Sequence, residues 1–444
     1  MISIIFTLDC YHIFNGIYCL ISRNFKTADL LSHIMVTIQF NSSRWIRIAL
    51  INFFIVALAG VILRYKINFP LPLINQKNLL HGHSHFAFVG WVTLALMALM
   101  VNHLHRSGLV TNYRKYHWLL IANTATAYGM LFAFILQGYA LFSITFSTLS
   151  IFVSYFFIYY YWKDLNKIKQ EEHISIWFKT ALILLAVSSI GAFGLAYLMA
   201  SRTVVQELYF AAIFFYLHFQ YNGWFIFSCF GLLFSFLKEK NKLHFIKISK
   251  CLFLTLAITV IPNYLLSIFG LKIPAYLFWI GTISATIQLA ALFYSYKLLQ
   301  AISTSADIAI KKMTTLLWSL AYISFALKIT LQALSVIPYF GNFAFGLRPV
   351  IIGYLHLCFL GVISFFILGY LHELLIRKGI KLNKSGLLIF IFGVILQEVV
   401  LMIQALDAMM SQTSTNTHIV LFIAAIAMAS GLAMLIKTKR LKII

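Results

Sequence analysis

This sequence predicts an all-α membrane protein, a bundle of about twelve transmembrane helices, and three observations carry that prediction. The 444-residue chain is 62% hydrophobic and only 10% charged, against about 25% charged for an ordinary soluble domain. Apolar runs recur from Trp45 onward, with the length of about 20 residues that crosses a hydrocarbon core of about 30 Å. Lys and Arg fall mainly between those runs. The formal charge of +23 therefore reads as loop residues obeying the positive-inside rule, and no nucleic-acid partner is expected.

Residues 1–44 form a poorly defined leader. ISIIFTLDCYHIFNGIYCLIS is apolar but interrupted by Asp9, His12 and Asn15. It lacks the basic start and small-residue cleavage site of a signal peptide. The expectation is a mobile or interfacial leader, or translation that starts near Met35. Residues 45–444 form one transmembrane domain. Its spans are expected at roughly 45–65, 78–102, 116–138, 140–162, 176–200, 206–237, 247–270, 274–299, 313–335, 348–372, 384–406 and 418–437, to within a few residues.

The connections set the expected topology. Positive clusters such as Arg114-Lys115, Lys238/Lys240/Lys242 and Lys311-Lys312 occupy alternate loops, and the tail carries Lys437, Lys439, Arg440 and Lys442. The other loops are poor in charge; 66–77, with Lys66 and Lys77, is the weakest case. Both termini are then cytoplasmic, and the second, sixth and tenth spans enter from the outer face. The setting is a bacterial-type inner membrane. Cys229 and Cys358 lie in spans and read as small core residues, and none of the five cysteines makes a CxxC.

The stretch with most chemistry is Lys77–Met100, KNLLHGHSHFAFVGWVTLALMALM. His81 and His85 lie one turn apart on one helix face, with His83 on roughly the opposite side. Gly82-His83-Ser84-His85-Phe86-Ala87-Phe88-Val89-Gly90 aligns without gaps to Gly353-Tyr354-Leu355-His356-Leu357-Cys358-Phe359-Leu360-Gly361. Gly, His, Phe and Gly match at the first, fourth, seventh and ninth places. His85 and His356 each lie eight residues past a basic residue, Lys77 and Arg348, which is roughly 12 Å into each helix. His218, beside Gln220, Tyr221 and Asn222, sits in the most polar intramembrane patch. A neutral histidine from each of two facing helices, at matched depth in an apolar shell, is what a bundle-core heme requires. The same residues also fit a zinc site, a proton relay, or histidines hydrogen-bonded across helices for packing. The remaining histidines fall in the leader, in loops or at span ends and read as interfacial.

Two further ionisable residues sit mid-span, Lys328 in the ninth and Glu398 in the eleventh. Buried ions in a membrane pair or serve a proton path. The expectations are a Lys–Glu pair or a snorkelling lysine, and alternatively a proton or quinone role for Glu398. No phosphate loop, nucleophile elbow or HExxH motif occurs.

Through Leu79 to Trp91, Tyr216 to Phe236 and Ile352 to Leu371, and thinly along its whole length, the chain resembles the catalytic subunit of the heme–copper oxidases, the respiratory oxygen and nitric oxide reductases. That family has twelve spans with cytoplasmic termini, and a low-spin heme held by histidines of the second and tenth helices. Its tenth helix carries His-x-His, with Gly five residues after the second His. Here that place reads Tyr354-Leu355-His356, then Gly361. The resemblance implies that His356 is one axial ligand of a low-spin heme b. The other is His81, by local pattern, or His85, which the repeat and depth favour. His218 falls at the sixth-helix copper position. The departures imply a degenerate second centre. Tyr354 replaces the first histidine of the pair, Asn263 and Tyr264 stand where the seventh helix should carry copper histidines, and Asn222 replaces a tyrosine. Copper is not expected, since one ligand of three holds it poorly.

The sequence thus predicts a membrane heme b protein for electron transfer or heme or gas sensing, with a quinone or cytochrome donor and possible partner subunits. The alternatives are an active oxygen or nitric oxide reductase with a non-standard centre built from His218, Tyr354 and His83, and a transporter coupling metal or protons through its His, Lys328 and Glu398.

Overall fold

The structure, a computed structural model, describes residues 40–437 and the backbone of 439–440, apart from 109–111, 169–170, 239–244, 272, 305–309, 342–346 and 411–415. The expected leader lies outside the described residues as far as residue 39, and the first helix already begins at Ser42. The structure is 88% helical. In chain order the long elements are α1 (Ser42–Asn68), α2 (Gln76–Ser107), α3 (Arg114–Gln137), α4 (Leu141–Leu165) and α5 (Glu172–Ala200). Then comes α6, which joins Gln206–His218, Phe219–Phe225 and Ile226–Lys238 end to end, and α7, Phe245–Val260 with the tight 3-10 stretch Pro262–Ile268. The rest are α8 (Ala275–Ser303), α9 (Lys312–Leu334), α10 (Arg348–Arg377), α11 (Lys384–Met409) and α12 (Thr417–Ile436).

Ten of these helices are long and apolar enough to cross a membrane, or eleven if α7, bent by 49°, is one span. The chain is a multi-pass membrane protein. α6 has the length, but Gln220-Tyr221-Asn222 dilute its apolar run. A two-residue antiparallel ladder, Ile380–Lys381 with Lys439–Arg440, ties the chain's end to the α10–α11 connection.

Local chemistry sets the helix ends. The side chains of Asn41, Asn75 and Asn383 accept bonds from backbone N–H groups of the first turns of α1, α2 and α11, the N-cap role for which asparagine is favoured. α3 ends at Gly138 with φ +68°, a left-handed conformation that glycine adopts without penalty. α7 breaks at Pro262, which has no N–H to give.

Consecutive helices pack on one another, and α12 closes against α1. Glycine makes the tightest approach. A Cβ on Gly431 of α12 would lie 2.7 Å from both Gly386 O and Phe390 N of α11, so the backbones meet directly, as small residues permit in membrane bundles. Of the α2 apolar window, 78% is buried, against 17% for α4. This makes α2 central and puts α4, with exposed Phe156 and Tyr159, on the lipid-facing rim.

Three helices depart from α geometry at mid-length. π-helical turns occupy Ala87–Thr93 in α2, Phe219–Phe225 in α6 and Leu357–Ser364 in α10. These helices are four elements apart in the chain, and one phenylalanine from each π stretch meets at the centre. Phe88 and Phe359 lie 4.4 Å apart, Phe225 and Phe359 5.6 Å, and Phe88 and Phe225 5.8 Å. π turns inside α-helices are rare and mark functional regions. Each one here begins just below a histidine of the sequence argument.

Candidate functional site

The end of the bundle at which α2 and α10 begin is taken as the top. Seven residues into α2, the His83 ring turns toward α1. Its Nδ1 lies 3.1 Å from Val56 O, and its edge rests on Gly60, where a Cβ would come within 3.5 Å of Cε1. On α10, His356 Nδ1 lies 2.8 Å from Ile352 O, one turn back on the same helix. A neutral imidazole has one N–H and one lone pair. A carbonyl at Nδ1 places the proton there and leaves Nε2 with the lone pair. Neither Nε2 has a hydrogen-bond partner among the described residues. Both rings therefore hold the tautomer and anchoring that metal-ligating histidines use.

The groups within electrostatic reach of His356 include Arg64 of α1 and His83. Arg64 also has Arg348 and Glu398 near it. Glu398 has Gln397 beside it, and both its Oε1 and the Gln397 side-chain nitrogen are buried without a hydrogen-bond partner. The upper site thus gathers His83, His356, Arg64, Arg348 and Glu398 from α1, α2, α10 and α11.

His81 and His85 share the opposite face of α2, as their spacing predicts. His85 stacks on Phe134 of α3, with ring centroids 4.4 Å apart, and its Nε2 lies 3.4 Å from the Tyr139 hydroxyl. The His81 ring lies 4.7 Å from that of Tyr139. Of the three clustered histidines at the start of α2, the one that shares surroundings with His356 is His83. The sequence repeat sets His85 opposite His356; the bundle turns that residue toward α3 instead.

His218 of α6 is fully buried. Its Nε2 donates to Val260 O at 2.7 Å, and its Nδ1 accepts from the Asn222 amide at 3.0 Å. The break in α7 explains the first bond. A continuous helix would bring the Tyr264 N–H to Val260 O, but that N–H goes to Ile261 O in the tighter 3-10 turn. His218 takes up the carbonyl left free. With both nitrogens engaged by protein, His218 offers no lone pair to a metal, unlike the sequence-based candidate ligand. Tyr264 sits beside it with ring centroids 6.1 Å apart, its hydroxyl donating to Ala211 O. No group of three or more His, Cys, Asp or Glu able to hold a metal occurs among the described residues.

Below the upper site, Lys328 of α9 is 1% exposed. Its Nζ donates to Gln332 Oε1 at 2.6 Å, one turn along the same helix. The expected pair with Glu398 is not formed; among the described residues no ion pair joins them, and the cation within electrostatic reach of Glu398 is Arg64. Cys358 of α10 and His218 are within electrostatic reach of Lys328. Tyr354 packs edge-on against Tyr221 of α6 at 6.0 Å, and its buried hydroxyl makes no hydrogen bond. Cys229 and Cys358 are free and buried, as read from the sequence.

Sequence reasoning passed over Arg64, a guanidinium inside the expected 45–65 span, whose position there was the available signal. It also passed over Gln332, four residues from Lys328, a spacing that puts the two side chains together. No family model matches this chain, and no curated protein matches it.

Proposed function

We propose that this is a twelve-span protein of heme–copper-oxidase-like fold that holds a single b-type heme between α2 and α10, and that it transfers electrons or senses heme or a gas. His356 and His83 would be the two residues that hold its iron. The observation that carries this reading is the matched pair of imidazoles, each fixed through Nδ1 to a backbone carbonyl, with Nε2 as the free lone pair. Arg64 and Arg348 at the same end suit the two heme carboxylates, since guanidinium pairs well with carboxylate. Held by two histidines, the heme would supply a reversible one-electron couple. The chain's own part is to fix the ligand rings, exclude water with the Phe88, Phe225 and Phe359 cluster, and compensate charge at the top.

The second centre of the family is absent in this reading. His218 serves α7 through Val260, Asn263 and Tyr264 bring no imidazole, and Tyr354 has replaced a histidine. Twelve spans are supported by the continuity of α6 and the bent α7. The alternation of basic loops supports an inner-membrane setting with cytoplasmic termini, which makes the top the outer side. A quinone or a cytochrome is then the electron donor.

Oxidised and dithionite-reduced optical spectra of detergent-purified protein test this. Native protein and His85→Ala show six-coordinate heme b bands; His356→Ala and His83→Ala lose them. A colourless native protein, expressed with ample heme, refutes the heme. Bands lost in His85→Ala but kept in His83→Ala refute the ligand pair.

A further inference from the structure

We infer that the polar centre between α6, α9 and α10 is a binding site for a small monovalent inorganic anion of halide or nitrite size, with the Lys328 ammonium as its counter-ion. This does not rest on the heme reading, which concerns the other face of α10.

An ammonium has three N–H donors and no acceptor. Lys328 uses one on Gln332, a neutral partner on its own helix. It is 1% exposed, so water does not satisfy the rest from the surface, and no carboxylate bonds it. The acidic residue in this part of the bundle is Glu398, which is near Cys358 but has Gln397 and Arg64 as its own neighbours. A buried charge inside a membrane is paired or is functional. The surroundings add donors. The Tyr354 hydroxyl is buried with no hydrogen bond. It lies beside the Cys358 thiol and the Tyr221 hydroxyl, and Cys358 is within electrostatic reach of Lys328. Ammonium, phenol and thiol each have a proton to give, and an anion accepts from all of them. A divalent metal is excluded by the same cation. The site is small because Tyr354 and Cys358 are i and i+4 on one helix, with Cβ atoms about 5–6 Å apart. Lys328 and Cys358 are each 1% exposed, so the buried space between these donors suits an ion of one to three atoms.

The test is thermal unfolding of the purified full-length protein in detergent. Sodium chloride, bromide or nitrite replaces sodium gluconate at constant ionic strength. Native protein gains a saturable rise in Tm with the small anions. Lys328→Met, close in shape and without charge, loses that dependence. Tyr354→Phe keeps it with about tenfold weaker apparent affinity, for one charge-assisted hydrogen bond. Equal Tm of native protein in gluconate and in every small anion overturns the proposal, as does an undiminished anion effect in Lys328→Met. Should Lys328→Met not fold, Tyr354→Phe decides: unchanged affinity there also overturns it. The optical spectrum stays the same across the anion series, so a failed heme assignment and a failed anion site are told apart.

Discussion

Replacing His218 by alanine separates a structural histidine from a metal ligand. The ring is fully buried and makes two bonds, 2.7 Å to Val260 O and 3.0 Å from Asn222. Truncation leaves the Val260 carbonyl without a partner at the one point where α7 supplies none, and leaves the Asn222 amide unpaired. Each orphaned group costs about 1–3 kcal/mol. The vacated imidazole volume adds about 2 kcal/mol, at the low end of large-to-small core substitutions. The total is about 4–8 kcal/mol. Reversible unfolding in mixed detergent and dodecyl sulfate micelles, followed by far-ultraviolet circular dichroism, reads it directly. His218→Gln, whose amide can donate to Val260 O, recovers about half of the loss. Heme bands, if present in the native protein, persist in whatever fraction stays folded. A His218→Ala protein of native stability refutes the reasoning, and so does one whose chief defect is a lost metal.

Two other outcomes follow from described contacts. Tyr113, at the lower end before α3, donates to Leu104 O; burial, and then the nearby Asp164 charge, push its hydroxyl up to about 12. The folded state keeps this proton after the unfolded chain has released it, so its contribution is complete below pH 10 and is lost as pH rises from 10 to about 12. Tyr113→Phe flattens that alkaline decline in unfolding midpoints by about 1–2 kcal/mol, and an unchanged slope refutes the assignment. At the α11–α12 contact, Gly431→Ala drives a methyl to 2.7 Å from two backbone atoms. The expected loss is about 1–3 kcal/mol in the same assay, and a neutral result means the helices are not in direct backbone contact.

Much of the bundle was legible because membrane helices announce themselves by length and by loop charge. The expected spans and the observed helices agree to within a few residues at most ends. The patch around His218 was also legible as polar, and its members are now seen bonded, Gln220 to Ser188 and Asn222 to His218. Helix rotation was not legible. His83 and His85 are two residues apart, about 200° around the axis, and the polar start of α2, QKNLLHGHSHF, carries no pattern that says which side meets α1. Nor did composition reveal that Pro262 would free a carbonyl for His218. The separation of Lys328 from Glu398 likewise depends on which faces α9 and α11 turn inward, and hydropathy is blind to that.

The π stretches bear on how this chain tolerates insertion and deletion. Each absorbs one residue more than an α-helix would need, so the halves of α2, α6 and α10 above and below it are offset by about 100°. Removing one residue inside Ala87–Thr93 would let the turn close to α geometry while His83 kept facing Val56 and the buried Leu94–Leu104 segment kept its own neighbours. The same deletion one turn higher would swing His83 off its carbonyl. A chain of identical fold can therefore differ from this one by single-residue gaps at three mid-helix points, where an aligner that forbids gaps inside helices would lose the register.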